Sequence, residues 1–155
     1  MATRAAVHRA GAALLAELLQ PDGPLAQQIP CPCGGTAVYR ELRRKQILTV
    51  VGPLEVWRPY YLCPHCHAGQ NPQDAELDVV ATECSPGVRR MMALVGSQSS
   101  FAQGRQQLEL LAGLTVTTKA VERHAEAIGA DIAVRQQADM HRVRSEEHTS
   151  ELQSR

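Results

Sequence analysis

Four cysteines in two short groups constrain this chain more than any other feature. Cys31-Pro32-Cys33-Gly34-Gly35 and Cys63-Pro64-His65-Cys66 are separated by the 29 residues from Gly34 to Leu62. Two close thiol pairs are a donor set for a tetrahedral metal site, and zinc suits four sulfur ligands. Antiparallel strands return the second pair to the first, because a hairpin brings its two ends together. The intervening residues have that character. Residues 36–42 alternate, with Val38 and Leu42 on one side and Tyr39 on the other. Residues 45–51 are rich in β-formers, Gly52-Pro53 turns, and residues 54–62 set Leu54, Val56 and Tyr60 against Trp57 and Tyr61. Gly34 and Gly35 follow the first pair, where a tight knuckle needs residues tolerant of positive φ. The expectation is a zinc-ribbon-like module over residues 31–66, with one zinc ion on Cys31, Cys33, Cys63 and Cys66. Cys-x-Cys is tighter than the usual Cys-x2-Cys knuckle, so His65 or His67 stays open as a substitute ligand. Four of the five aromatic residues fall in this segment, and a module so small depends on its metal for stability.

A redox reading competes. Cys-Pro-His-Cys is also the active-site tetrapeptide of DsbA-type thiol oxidants, in which a helix N-terminus depresses the first thiol's pKa. That chemistry needs a helix beginning at the motif, whereas His67-Ala68-Gly69-Gln70-Asn71-Pro72 reads as loop. It also leaves Cys31 and Cys33 without a role. A thiol-disulfide oxidoreductase using Cys63 and Cys66 remains the alternative from another class. A complete small zinc-ribbon transcriptional regulator is a third reading. Cys84 stands alone and reads as a buried or surface thiol.

Charge enters next. The 155 residues carry 16 Lys+Arg and 16 Asp+Glu, a formal net of zero. The composition excludes a disordered chain, a collagen-like repeat and a disulfide-dense miniprotein. No apolar run approaches the roughly 20 residues of a membrane span, and the expected compartment is the cytoplasm. Neutrality argues against nucleic acid only if the charges are evenly spread. Residues 31–66 hold five bases against two acids, residues 67–84 four acids and no base, and residues 85–129 five bases against three acids. Two basic modules therefore flank an acidic connector. Arg43-Arg44-Lys45 is placed at a hairpin tip, where it can reach a phosphate backbone; a solvated turn is the plainer alternative.

Both ends need separate treatment. Residues 1–20 read as an Ala-rich helix ended by Pro21-Asp22-Gly23-Pro24, and residues 1–30 as that helix and a linker. A secretory signal is the lesser alternative, since Glu17 interrupts the apolar stretch and no small-x-small site follows. At the other end, Arg-Ser-Glu-Glu-His-Thr-Ser-Glu-Leu-Gln-Ser over residues 144–154 resembles the in-frame translation of a common sequencing adapter. Residues 144–155 are accordingly expected to be an artefact without a fold, with a downstream domain missing.

Residues 85–143 read as helical. Ser85 caps a helix opened by Pro86, with Val88, Met91, Met92 and Val95 at helical spacing. A second helix is expected over 103–112, and a third from Val116-Thr117-Thr118 to Gly129. Gly113 between them gives a helix-turn-helix layout, with Thr117, Thr118, Lys119 and Arg123 presented for DNA contact. A helical hairpin with a glycine turn also occurs without DNA. His124 falls on the apolar side, as a core histidine. The fold class expected for the chain is α+β, a zinc-ribbon-like β-hairpin module followed by a three-helix bundle.

A series of motifs in fixed order bears on family. It comprises Cys31-Pro32-Cys33-Gly34-Gly35, Tyr39, Thr49-Val50-Val51-Gly52, Arg58-Pro59-Tyr60-Tyr61-x-Cys63-x-x-Cys66 and Pro72-x-Asp74-x-x-Leu77. Ser85-Pro86-Gly87-Val88-Arg89-Arg90-Met91, Ser100-Phe101, Leu111-Ala112-Gly113-Leu114 and Val121-Glu122-Arg123-x-Ala125-Glu126-x-Ile128-Gly129 follow. Across about residues 29–133 the series resembles the N-terminal region of bacterial ISKra-type insertion-sequence transposases. The resemblance implies recognition of transposon-end DNA by the zinc module and the helix at residues 117–123. It also implies a divalent-metal RNase H-like DDE domain lying beyond these residues, so no catalytic residue is assigned here. Asp74 and Asp78, in the connector, are not promoted to catalysts. The expectation is a transposase fragment that binds DNA and zinc but performs no strand transfer alone. Homo-oligomerisation stays open.

Overall fold

The computed structural model describes the backbone of residues 2–21 and 23–153, and the side chains of residues 3–21 and 23–142. The class is α+β. In chain order the elements are α1 (Ala2–Leu18), β1 (Gln28–Pro30), β2 (Thr36–Thr49), β3 (Gly52–Leu62) and β4 (Gly69–Gln70), then α2 (Pro72–Glu76), α3 (Pro86–Gln98), α4 (Phe101–Gln107) and α5 (Thr118–Gln153). A π-helical turn, Leu108–Ala112, continues α4. The four strands form one antiparallel sheet in sequence order. Among the described residues no helix is long and apolar enough to cross a membrane. The chain divides into two compact units, residues 1–90 with 112–114 and residues 91–111 with 115–155.

The first unit is organised by β2 and β3. They pair from Thr49↔Gly52 back to Val38↔Leu62, with a bulge between Tyr39 and Glu41. The sequence reading broke this hairpin at Arg43-Arg44-Lys45; instead β2 runs through the three, which pair with Arg58, Trp57 and Val56. The chain turns at Val50-Val51, where the Thr49 hydroxyl donates to the Gly52 carbonyl at 2.8 Å. That turn is covered: a Cβ built at Gly11 in α1 would lie 3.3 Å from the Val51 side chain. One face of the hairpin buries Ile47, Leu54 and Val56 with Val79, packed by Ala12, Leu15, Ala16 and Leu19 of the N-terminal helix and its end. Past the bulge the opposite face is buried, with Cys31, Ala37, Tyr61 and Cys63 packed by Ile29 and Tyr39. The Tyr39 and Tyr61 rings meet edge-on at 5.9 Å, and the Tyr61 hydroxyl donates to the Ala26 carbonyl.

The acidic segment 67–84 is folded against this sheet. Asp74 is buried between Arg58, with which it forms an ion pair, and Lys45, 3.4 Å away. Lys45 also donates to the Val79 carbonyl, and Asp78 pairs with Arg89. Downstream, the Leu48 N–H donates to the Glu83 carbonyl at 2.7 Å and Leu48 accepts from Ser85 N–H at 2.9 Å. Asp74 of the connector thus answers two of the ribbon's bases, and Asp78 answers Arg89 downstream, an arrangement hidden when the segments are counted separately.

In the second unit α4 packs on α5. Gly96 of α3 makes a close approach possible, since a Cβ there would lie 2.8 Å from the Ala125 Cβ. The Ser100 hydroxyl accepts from the Gln103 N–H, so α4 begins two residues before the expected Gln103. Gly113, at φ +70°, ends the helical run. α5 then extends well beyond the expected end at Gly129. One exposed glycine costs about 1 kcal/mol relative to alanine, and the Ala-, Gln- and Arg-rich residues after it sustain a helix. Asp131–Arg135 and Asp139–Arg142 ion pairs line its surface. The helical backbone continues through residues 144–153, which were set aside as lacking a fold; residues 154–155 lie outside those described.

Removing one member of a buried ion pair strands its partner in the interior. Asp74→Ala should therefore destabilise the first unit by about 3 kcal/mol, read as a lower urea midpoint. Glu76→Ala, at an exposed neighbouring position, should leave the unfolding free energy within about 0.5 kcal/mol of the parent.

Candidate metal centre

Two hairpin turns build the centre. The first joins β1 to β2: Cys31 N–H donates to the Gly35 carbonyl and Gly34 N–H to the Cys31 carbonyl, both at 2.9 Å. Gly34 sits at φ +82°, which a side chain would resist. The second joins β3 to β4: Cys63 N–H donates to the Ala68 carbonyl at 3.0 Å and His67 N–H to the Cys63 carbonyl at 2.9 Å. Because Val38 pairs with Leu62, both turns lie at the same end of the sheet.

The result is convergence of four thiols. The Sγ atoms of Cys31, Cys33, Cys63 and Cys66 all lie within 4.8 Å of one another. Cys31 and Cys66 are 3.6 Å apart, and Cys33 and Cys63 are 3.7 Å apart. These separations far exceed the roughly 2.05 Å of a disulfide. All four are free thiols, with Cys31 and Cys63 buried and Cys33 and Cys66 exposed. The cluster can hold a metal ion. Among the described residues it is the one gathering of three or more His, Cys, Asp or Glu ligand atoms of this kind, and neither His65 nor His67 belongs to it. Gly35 leaves room beside it: a Cβ there would already lie 3.4 Å from Cys33 Sγ and 3.7 Å from Cys63 Sγ.

The thiols are electrostatically unequal. Backbone N–H groups of Cys66 and His65 outweigh burial at Cys63 and lower its pKa to about 6. At Cys31 the Cys33 backbone N–H pulls downward, but burial and the neighbouring thiols together raise the value to about 12. Cys66 is raised as well: the Ala68 N–H favours its thiolate, and the Cys33 and Cys63 thiols with burial overcome that pull. Crowding several thiols around one point means that they cannot all ionise without a cation among them. Cys63-Pro64-His65-Cys66 occupies the β3–β4 turn, so the tetrapeptide lacks the helix N-terminus that the redox reading requires. Cys84 lies apart, bridged through its backbone to Leu48.

The residues expected to touch DNA fall in different settings. Arg43 bonds to Glu41 at 2.8 Å and covers the Tyr60 ring, while Lys45 is held by Asp74 and Val79. Neither is at a hairpin tip. Arg44 is exposed, 3.5 Å from Glu55. Thr117 precedes α5, and its hydroxyl accepts from the Ala120 N–H at 3.1 Å. Thr118, Lys119 and Arg123 are exposed on the first turns of α5, with Val121 and His124 buried behind them. The sequence reading missed the Asp74 network, whose members lie 16 and 29 residues apart with no local periodicity to connect them. Compared with protein-family models and with curated proteins, the chain matches none.

Thiols raised above their ordinary range must lose protons when a metal takes them as thiolates. Metal uptake at pH 7 should release at least two protons per ion, from Cys31 and Cys66, measured with a pH indicator in weak buffer. Uptake without proton release would show that these thiols do not become ligands.

Proposed function

We propose that this chain is a zinc-held DNA-binding module of the ISKra-type transposase kind, recognising transposon-end DNA. The four-thiol cluster carries the reading. Zinc–sulfur bonds of about 2.3 Å in a tetrahedron place the sulfurs about 3.8 Å apart, and the two cross-turn separations are 3.6 and 3.7 Å. Two short hairpins with their turns at one end of a sheet have the layout of a zinc ribbon. Zinc would be structural there, tying β1 and β4 to the long central hairpin.

The DNA part rests on the start of α5. A helical run stops at Ala112 and the next helix begins at Thr118, an element order that supports the helix-turn-helix reading. Helix N-termini favour phosphate, and Thr118, Lys119 and Arg123 are free of the interior. Lys119 has a side chain 78% exposed and pairs with Glu122, 3.1 Å away. Such a surface pair is worth well under about 1 kcal/mol, so phosphate can displace it. The ordered motif series supports the family part of the reading. Asp74 and Asp78 each pair with bases, which suits a binding module with structural carboxylates.

The thiol-oxidant reading draws on the lowered Cys63, and zinc content separates the two. The purified chain should contain about one zinc, and chelation should remove both the metal and the β-sheet signal in circular dichroism. A metal-free folded chain with a reactive Cys63 would favour the oxidant. For DNA, Lys119→Ala combined with Arg123→Ala should weaken duplex binding and lower the slope of log affinity against log salt by about 2. An unchanged slope would remove α5 from the interface.

A further inference from the structure

The lone tryptophan stands on the exposed part of a sheet face; farther along that face Pro59 and Tyr61 line a hollow with Gln20, Pro21, Pro72 and Gln73. Trp57 pairs with Arg44 across the β2–β3 ladder, and Leu42 pairs with Pro59 in the next like-facing position. Cross-strand partners and residues two apart share a face, so Leu42, Arg44, Trp57 and Pro59 form one patch. Val56 and Arg58, alternating with them, point into the buried side under α1 and α2. Trp57 is 42% exposed and Leu42 40%.

Charge identifies what fits. Of the five bases in residues 31–66, Arg43, Lys45 and Arg58 are committed to the Tyr60 ring, Glu41 and Asp74 on the other side. The remaining two are Arg44 in the patch, with a side chain 70% exposed, and exposed Arg40 at the bulge beside Leu42. Arg44 pairs with Glu55 at 3.5 Å, a solvent-screened pair that a phosphate can displace. A flat exposed indole with two available guanidinium groups is suited to a strand whose bases are unpaired. Bases stack on the ring and phosphates meet the cations; in a duplex the base faces are already stacked on one another.

We propose that the Leu42–Arg44–Trp57–Pro59 face binds single-stranded DNA by stacking on Trp57. This goes beyond duplex recognition by α5 and does not depend on it. Trp57 is the only tryptophan, so its emission reports on this face alone. Titrating the zinc-loaded full chain with a 12-residue oligothymidylate should quench that emission. Trp57→Ala should weaken binding of a fluorescein-labelled copy about fivefold or more, with Trp57→Phe keeping most of it. Arg40→Ala with Arg44→Ala should flatten the salt dependence. Zinc content and circular dichroism establish that each variant is folded.

Unchanged affinity in Trp57→Ala, or equal quenching by a duplex of the same length, would overturn the proposal. A shift in Trp57 emission with protein concentration alone, accompanied by dimers in sedimentation, would assign the face to a second copy instead. Duplex binding in a chain whose Trp57 emission does not respond to single strands would sink this inference and leave the α5 reading standing. Quenching by single strands with no effect of the Lys119 and Arg123 substitutions would do the reverse.

Discussion

Pairing between β2 and β3 is the constraint on which the rest of the first unit depends. Eleven paired positions from Thr49↔Gly52 to Val38↔Leu62 carry two sequence-distant turns to the same end of a sheet. No single thiol contact could do that, because closing a loop of about 30 residues costs several kcal/mol of chain entropy before any ligand bond forms. The ladder absorbs that cost one rung at a time. It also settles which side chains share a face, and so which are available to solvent.

Much of this was legible from residues alone. The cysteine spacing announced the cluster, the alternation of Leu54, Val56 and Tyr60 against Trp57 and Tyr61 announced β3, and Ser85-Pro86 announced the start of α3. The failures have physical causes. β1 and β4 contribute three and two residues, too few for any alternation to register. Arg43-Arg44-Lys45 looked like a tip because charged runs favour solvent, yet long side chains in a ladder can reach solvent, a ring or a buried acid from mid-strand. α5 outran Gly129 because one weak helix position does not break a favourable run.

Charge shows how far segment counts can mislead. The bases of the ribbon and the acids after it looked like separate surfaces, and their separation made the ribbon look broadly cationic. In the fold Asp74 sits between Lys45 and Arg58. Desolvating three charged groups is tolerable only when they answer one another, and the arrangement ties α2 to the middle of the sheet. What remains of the ribbon's positive charge is confined to Arg40 and Arg44, on and beside the face that carries Trp57.

The bulge between Tyr39 and Glu41 has a consequence for the length of the insert. In a regular hairpin with a two-residue turn at Val50-Val51, Val38 would stand opposite Cys63; the extra residue moves its partner to Leu62. The number of residues between the cysteine pairs therefore has a parity, odd here at 29. Losing one residue from β2 would slip the strands by a single step, and a single step exchanges inward for outward. Loss of two, one from each strand, would merely shorten the sheet. The spacing between the ligand pairs thus tolerates change in even increments far better than in odd ones.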